Sequence, residues 1–429
     1  MKHCEQQPNR NFSSKQCAVI AGVLALLFLA AVSVAQAQNF QVLHSFTNGD
    51  DGAIPLAGLT IDRAGNLYGT ASGGGKTNDG CVTYGCGVAF RLKHSNSGWI
   101  LTPLYVFQGG QESGLDGANP EARMVFAADG TLYGTTSDGG GNSCNTSTCG
   151  TVFKLSPPAT ACKSALCGWD ETIVYRFTGT PHAGLPVNGP LVFDQAGNLY
   201  GTAIEGPGGN GVIYELTSSG GTWSEDDLSG GDNPFSGVIF DTAGNLYGAN
   251  QGVGYGGIYQ LVHSGSGWTM NPILTVLTGD TGGPPAGGLI FDNSGNLYGS
   301  MVSEGPNGGG TVFELSAGTW NFNLLYGFSG STGPKESLSM DSAGNLYGTT
   351  WGDGAHSYGN VFKLTPSANG WAYTDLYDFT GGSDGRYPVS NVVIDAQGNL
   401  YGTTSYGGSG PCTSMYYGNG CGVVWEITP

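Results

Sequence analysis

Three short segments of this 429-residue chain place an aspartate four residues before a proline: Asp51-Gly-Ala-Ile-Pro55, Asp116-Gly-Ala-Asn-Pro120 and Asp384-Gly-Arg-Tyr-Pro388. Aspartates set among backbone carbonyls suit Ca²⁺. Tyr84, Tyr387, Tyr406, Tyr416 and Tyr417 lie in the same segments or in nearby loops, and tyrosine rings suit stacking on sugars or peptides. A plainer reading stands beside this one: Asp-Gly before proline makes a turn whose carboxylate caps local amides. Cysteines offer the other chemistry. Eight of the ten form close pairs, Cys81/Cys86, Cys144/Cys149, Cys162/Cys167 and Cys412/Cys421. An even count with local spacing reads as four disulfides made in an oxidising compartment. Zinc would require two such pairs together, or histidines at set spacing, and the sequence has neither.

The elements that position these residues are set by a repeat. Leu-Tyr-Gly occurs seven times, with its tyrosine at 68, 133, 200, 247, 298, 347 and 401. A glycine lies three residues before each tyrosine. An aspartate lies six before, except in the second copy, where Ala127 holds the slot and Asp129 sits nearer the turn. A period of 47–67 residues over seven copies points to a propeller, array or solenoid. Each unit reads as four short strands, exemplified by Gly288–Asp292, Asn296–Ser300, Gly310–Leu315 and Trp371–Phe379. The D-x-x-G-N link between the first two is a turn in which aspartate accepts amide hydrogen bonds and glycine supplies positive φ. The 78 glycines thus follow from many tight turns, and no stretch keeps a helical period.

The ends dictate how the units close. Gln41–Phe46 matches a fourth strand, whereas the chain finishes on Gly422–Ile427, a third strand. A ring resolves both mismatches, because the N-terminal strand completes the seventh unit and no sheet edge is left unpaired there. The expected fold is therefore all-β: one seven-bladed β-propeller of four-stranded antiparallel blades over residues 38–429. Ahead of it, a basic stretch with Lys2, Arg10 and Lys15, the apolar run 18–34 and Ala35-Gln36-Ala37 read as a signal peptide cut after Ala37, with an uncleaved anchor as the rival. Cleavage leaves 11 basic and 31 acidic residues, a charge of −20. Such a chain repels phosphate backbones, which argues against nucleic acid. No second apolar run follows to span a membrane.

In such blades the loop between the second and third strands shares one end of the ring with the connection to the next blade. Those loops have 17, 15, 9, 7, 10, 10 and 19 residues in blades 1 to 7. The long ones belong to blades 7, 1 and 2, which are neighbours in a closed ring, and each carries a cysteine pair. The same blades carry the three Asp-Gly-x-x-Pro segments, so one sector gathers Asp51, Asp116, Asp384 and the tyrosines. Long loops on a rigid scaffold commonly carry function. Glu121, Arg123, Lys335 and Glu336 begin first strands and are expected to line the central channel. A tryptophan opens the fourth strand in six blades (Trp99, Trp169, Trp223, Trp268, Trp320, Trp371), a recurrence that fits packing between blades. His182 and His356 fall in loops of blades 3 and 6, with no partner evident in the sequence. No G-x-S-x-G, H-E-x-x-H or phosphate-binding loop occurs in a fitting context.

The recurring D-x-x-G-N-L-Y-G-T-T, a glycine-rich gap and G-x-V-F-K-L resemble the GloVer repeat of exported bacterial "choice-of-anchor tandem repeat" proteins. Phe46-Thr-Asn-Gly-Asp-Asp-Gly and Phe379-Thr-Gly-Gly-Ser-Asp-Gly resemble the segment joining its units. The resemblance spans residues 40–428. It implies an extracellular or surface location, with the periplasm as another destination, and brings no catalytic residues. Members often carry a C-terminal sorting anchor; with none after Ile427-Thr-Pro429, release is expected. Two functional readings follow. One is a non-enzymatic binding module, a monomer, taking a glycan, peptide or cell-envelope partner on the long loops. The other is a secreted lyase, lactonase or glycosidase with a metal or acid site at the channel mouth.

Overall fold

The glycine of each Leu-Tyr-Gly is required by a ring that lies against it. A Cβ on Gly69 would stand 2.7 Å from the Phe90 ring, and one on Gly402 would stand 2.3 Å from the Trp425 indole. The other five copies meet Phe153, Tyr214, Tyr259, Phe313 and Phe362 in the same way. All seven rings are buried. The preceding tyrosine ties down the turn: Tyr68, Tyr200, Tyr247, Tyr298, Tyr347 and Tyr401 donate their hydroxyls to the aspartate six residues earlier, at 3.0–3.4 Å. Blade 2 lacks that aspartate, and Asp129 there accepts the amide of Thr131 instead.

The computed structural model describes residues 38–429 except 78–80, 82–83, 110–115, 142, 145–146, 159–167, 180–181, 187–188, 231–232, 235, 252–255, 266, 276–281, 286 and 416. Phe40–Thr428 forms one compact unit. It is a ring of seven antiparallel four-stranded blades, with no α-helix among the described residues. Blade 1 is Thr60–Ile61, Leu67–Ala71, Val88–Ser95 and Gly98–Val106. Blade 7 is Val393–Ile394, Leu400–Thr404, Val423–Thr428 and the N-terminal strand Asn39–Ser45, which pairs with Val423–Thr428 and closes the ring.

First strands are shorter than the sequence suggests. In blade 5 only Ile290 and Phe291 pair, against Tyr298 and Leu297. The residues before them, Gly288 and Leu289, leave the sheet to wall the central channel. The core is correspondingly divided into clusters lying between blades. Tryptophans contribute there: Trp99 of blade 1 meets Tyr401 of blade 7 edge-on at 5.8 Å, and Trp371 of blade 6 meets Tyr298 of blade 5 at 6.1 Å.

Blades also lock at the loop end. The glycine opening the third strand sits under the proline of the next blade: a Cβ on Gly87 would lie 2.4 Å from Pro120 Cδ, and one on Gly422 would lie 2.6 Å from Pro55 Cδ. Just before those prolines, Ile54, Asn119 and Tyr387 have φ near +55°, a conformation costing on the order of 1–3 kcal/mol. Each is held by an amide hydrogen bond to the preceding blade, Ile54 to the Cys421 carbonyl and Asn119 to that of Cys86, at 2.8 and 2.9 Å.

Disulfides join Cys81–Cys86, Cys144–Cys149 and Cys412–Cys421; Cys162 and Cys167 lie outside the described residues. The stapled loops carry small hairpins, Ser143–Cys144 with Ser147–Thr148 and Thr413–Ser414 with Gly418–Asn419. No helix among the described residues is long and apolar enough to cross a membrane. The segment read as a signal peptide, residues 1–37, lies outside those residues.

Candidate functional site

Each of the three aspartates closes a turn of its own. Asp51 accepts the amide and hydroxyl of Thr47, the amide of Gly49 and a contact from His44 Nε2 at 2.9 Å. Asp384 accepts the amide and hydroxyl of Thr380, the amide of Gly382 and the Tyr377 hydroxyl at 3.1 Å. Asp116 accepts the amides of Gln108 and Gly117 and the Tyr105 hydroxyl at 3.0 Å. His44, Tyr105 and Tyr377 hold the same place, two residues before the phenylalanine that follows the fourth strand. Burial works to raise the Asp51 carboxyl, but the hydrogen bonds from His44 and Thr47 outweigh it and hold the group below its ordinary range. Among the described residues no three of His, Cys, Asp or Glu stand together so as to hold a metal ion, so these aspartates do not meet around one. His182 Nδ1 faces Asp227 at 3.7 Å and is mostly exposed; His356 is exposed.

The tyrosines do come together. Tyr387 stacks on Trp351 of blade 6 at 4.5 Å and 18°. Tyr417 meets both edge-on at 6.2 and 6.4 Å and stacks on Tyr406 at 5.1 Å and 27°. Tyr406 and Tyr84 then line a cavity of about 330 Å³ with Leu56, Asn119 and Glu121. The result is an aromatic arc running from blade 6 across blade 7 to the junction of blades 1 and 2. All its members are partly exposed and Tyr417 is 41% exposed. Tyr416 lies outside the described residues.

Two cations frame the arc. Lys335 Nζ sits 4.1 Å over the Trp351 ring. Arg386 lies over Tyr358 at 5.1 Å and donates to the carbonyls of Tyr417 and Gly381. A Cβ on Gly418 would collide with its guanidinium, so that glycine lets Arg386 brace the long loop from beneath. Trp351, Tyr358 and Arg386 are absent from the sequence-based set. A signal for Trp351 was present: of eight tryptophans, six open fourth strands and Trp425 is a third-strand aromatic, which leaves Trp351 without a repeat role.

Inside the mouth lies a channel cavity of about 480 Å³ walled by the first strands. Of the four residues expected along the channel, Arg123 lines this cavity; Glu336 lies within reach of the Arg123 and Lys335 charges, and Glu121 instead lines the cavity beneath Tyr84 and Tyr406. Burial pushes Glu336 up to about 8, against the pull of Arg123 and Lys335. Burial, with the charge of Asp138, takes Glu121 to about 7.

Residues 30–225 and 186–417 match the Gloeobacter/Verrucomicrobia repeat. The chain belongs to that family. Members of the family share the repeat that forms these blades, and the arc is built on loops that interrupt it. No curated protein matches the chain. Among solved structures, the aldose sugar dehydrogenase of Streptomyces coelicolor is 14% identical, over 91% of this chain and 98% of its own, with a TM-score of 0.41. A Lactobacillus plantarum protein is 13% identical over 80% and 95%, TM-score 0.48. A gluconolactonase of Xanthomonas campestris is 14% identical over 70% and 82%, TM-score 0.37.

Proposed function

We propose that this propeller is an exported carbohydrate-binding module whose ligand lies on the aromatic arc of the loop face. The observation that carries the reading is the continuous set Trp351, Tyr387, Tyr417, Tyr406 and Tyr84. A surface that keeps four partly exposed rings in mutual contact, with a fifth across the adjoining cavity, has flat apolar faces and polar edges, the combination that sugar rings need. Its rigidity is supplied by the Cys412–Cys421 staple and by Arg386 beneath the loop, so little ordering entropy is lost on binding. Disulfides and the signal-like N-terminus support export.

A glycan array probed with the mature chain tests this. Binding is expected, and Trp351→Ala is expected to weaken it at least tenfold, about 1.4 kcal/mol, with the melting temperature little changed. Absence of saccharide binding, or equal binding by the variant, overturns the reading. A second reading, an acid-dependent glycosidase or lactonase, is favoured by one observation: Glu121 and Glu336 have carboxyls raised to about 7 and about 8 by burial, so they can act as acids near neutrality. Turnover of bound saccharide, abolished in Glu336→Gln, would select it.

A further inference from the structure

Ten residues before each Leu-Tyr-Gly tyrosine stands one ring of equivalent positions, six of which line the channel cavity. Four blades place Gly58, Pro190, Gly237 and Gly288 there and blade 6 places Ser337, but blade 2 places Arg123 and blade 7 Asn391. These two flank blade 1 and lean over its glycine: a Cβ on Gly58 would fall 1.7 Å from Asn391 Oδ1 and 3.3 Å from Arg123 Cδ. The Asn391 Oδ1 atom is buried and has no hydrogen-bond partner. From across the ring, blade 6 contributes Glu336 and, one residue outward, Lys335. Among the described residues the ion pairs are His44–Asp51 and His182–Asp227, so Arg123 and Glu336 feel each other's charge without pairing. The remaining wall is apolar or neutral. A guanidinium and an orphaned amide oxygen therefore line one cavity with their bonding capacity unspent, and a carboxyl lies within reach of the guanidinium's charge. Lys335 ties this point to the arc, because the same ammonium lies over Trp351.

We propose that the channel mouth is a carboxylate subsite, in which Arg123 and Lys335 receive the carboxylate of a terminal uronic acid while Asn391 and Glu336 take its hydroxyls. The proposal rests on the saccharide reading above and names the class of saccharide. Arg123 offers the planar fork that matches a carboxylate. A phosphate dianion would ask for more positive charge than the Arg123 fork and the Lys335 ammonium supply, whereas a single carboxylate matches the fork. A polyanionic chain is disfavoured by the charge of −20 that remains once residues 1–37 are removed, since like charges repel over the whole surface. One acid at the end of a neutral saccharide satisfies both limits: the acid enters the channel and the neutral rings lie on the arc.

The test uses the whole mature chain and three probes in titration calorimetry at pH 6: a trisaccharide ending in glucuronic acid, its methyl ester, and the parent neutral trisaccharide. The acid is expected to bind at least tenfold more tightly than either neutral form. Arg123→Gln is expected to bring the acid down to the affinity of the ester and to leave the ester unchanged. Equal binding of acid and ester by the unaltered protein overturns the subsite and leaves the saccharide reading standing. Failure of all three probes overturns both. An acid preference that survives in folded Arg123→Gln places the subsite elsewhere and overturns the assignment. Should that variant not fold, Lys335→Met is read instead: a loss of acid preference of about threefold or more supports the subsite, and an unchanged preference overturns it.

Discussion

In blade 6 the turn aspartate Asp341 accepts the amides of Ala343 and Asn345, the Asn345 side chain and the Tyr347 hydroxyl, all between 2.7 and 3.0 Å. Removing the carboxylate strands those donors at a partly buried turn. Asp341→Ala is therefore expected to destabilise the ring by about 1–3 kcal/mol, read as a lower midpoint in urea. The same substitution at an exposed aspartate outside a turn serves as the control. Gly348→Ala tests the other half of the motif. Its Cβ would stand 2.6 Å from the Phe362 ring, and overpacking a filled core costs about 1–3 kcal/mol. At this scale the sequence was highly legible. D-x-x-G-N-L-Y-G recurs because one hydrogen-bond set and one ring contact recur, and both are local to a blade. The aspartates before the prolines were legible as turn formers too, since their donors lie within eleven residues.

The elements that carry the arc are the interruptions of the repeat. The blade 7 loop is pinned by Cys412–Cys421, by the hairpin between them and by Arg386 passing under Gly418. Replacing both cysteines by serine is expected to cost about 2 kcal/mol through freed loop entropy. It should also open the loop to proteolysis between 409 and 420 while the blade strands stay protected, which limited digestion followed by mass measurement would read. Loop length and cysteine spacing marked this sector in the sequence, but its composition was only partly legible. Tyr387, Tyr406, Tyr417 and Tyr84 were visible near the stapled loops. Trp351 belongs to an unstapled loop of blade 6, and it joins them only because blades 6 and 7 pack side by side and Tyr387 turns back with φ +56°.

For the whole molecule, closure and charge carry the consequences. Deleting Asn39–Phe46 would leave Val423–Thr428 an open edge and expose Trp425, whose neighbours include Phe40 and Val42. Aggregation or edge-to-edge dimers are the expected outcome by size-exclusion chromatography. The pH response follows from buried carboxyls. Burial raises Glu121, Glu171 and Glu225 to about 7 and Glu336 to about 8, whereas an unfolded glutamate titrates near ~4.3. Between those values the folded state binds more protons. Their contribution to stability is fully present below the unfolded value and is lost as pH rises through 7 to 8. Thermal melts are expected to show a lower midpoint at pH 8 than at pH 5.5. The turn carboxyls oppose this in acid: burial pushes Asp62, Asp241, Asp292 and Asp341 up, but their hydrogen bonds prevail and lower them. Stability that they confer is lost as pH falls below about 4.

The sequence by itself determined the blade, the number of blades and the closure of the ring. A blade is made of contacts between residues close in the chain, and seven copies of one pattern ending a strand short leave one geometry that gives every blade four strands. It also determined which loops would be long and stapled. Tertiary structure alone decided which side chains meet across blades. The aromatic arc gathers residues 84, 351, 387, 406 and 417, and the channel wall brings Arg123 and Asn391 together over Gly58. These contacts depend on the radius of the ring and on backbone turns at single positions, quantities that no local pattern encodes.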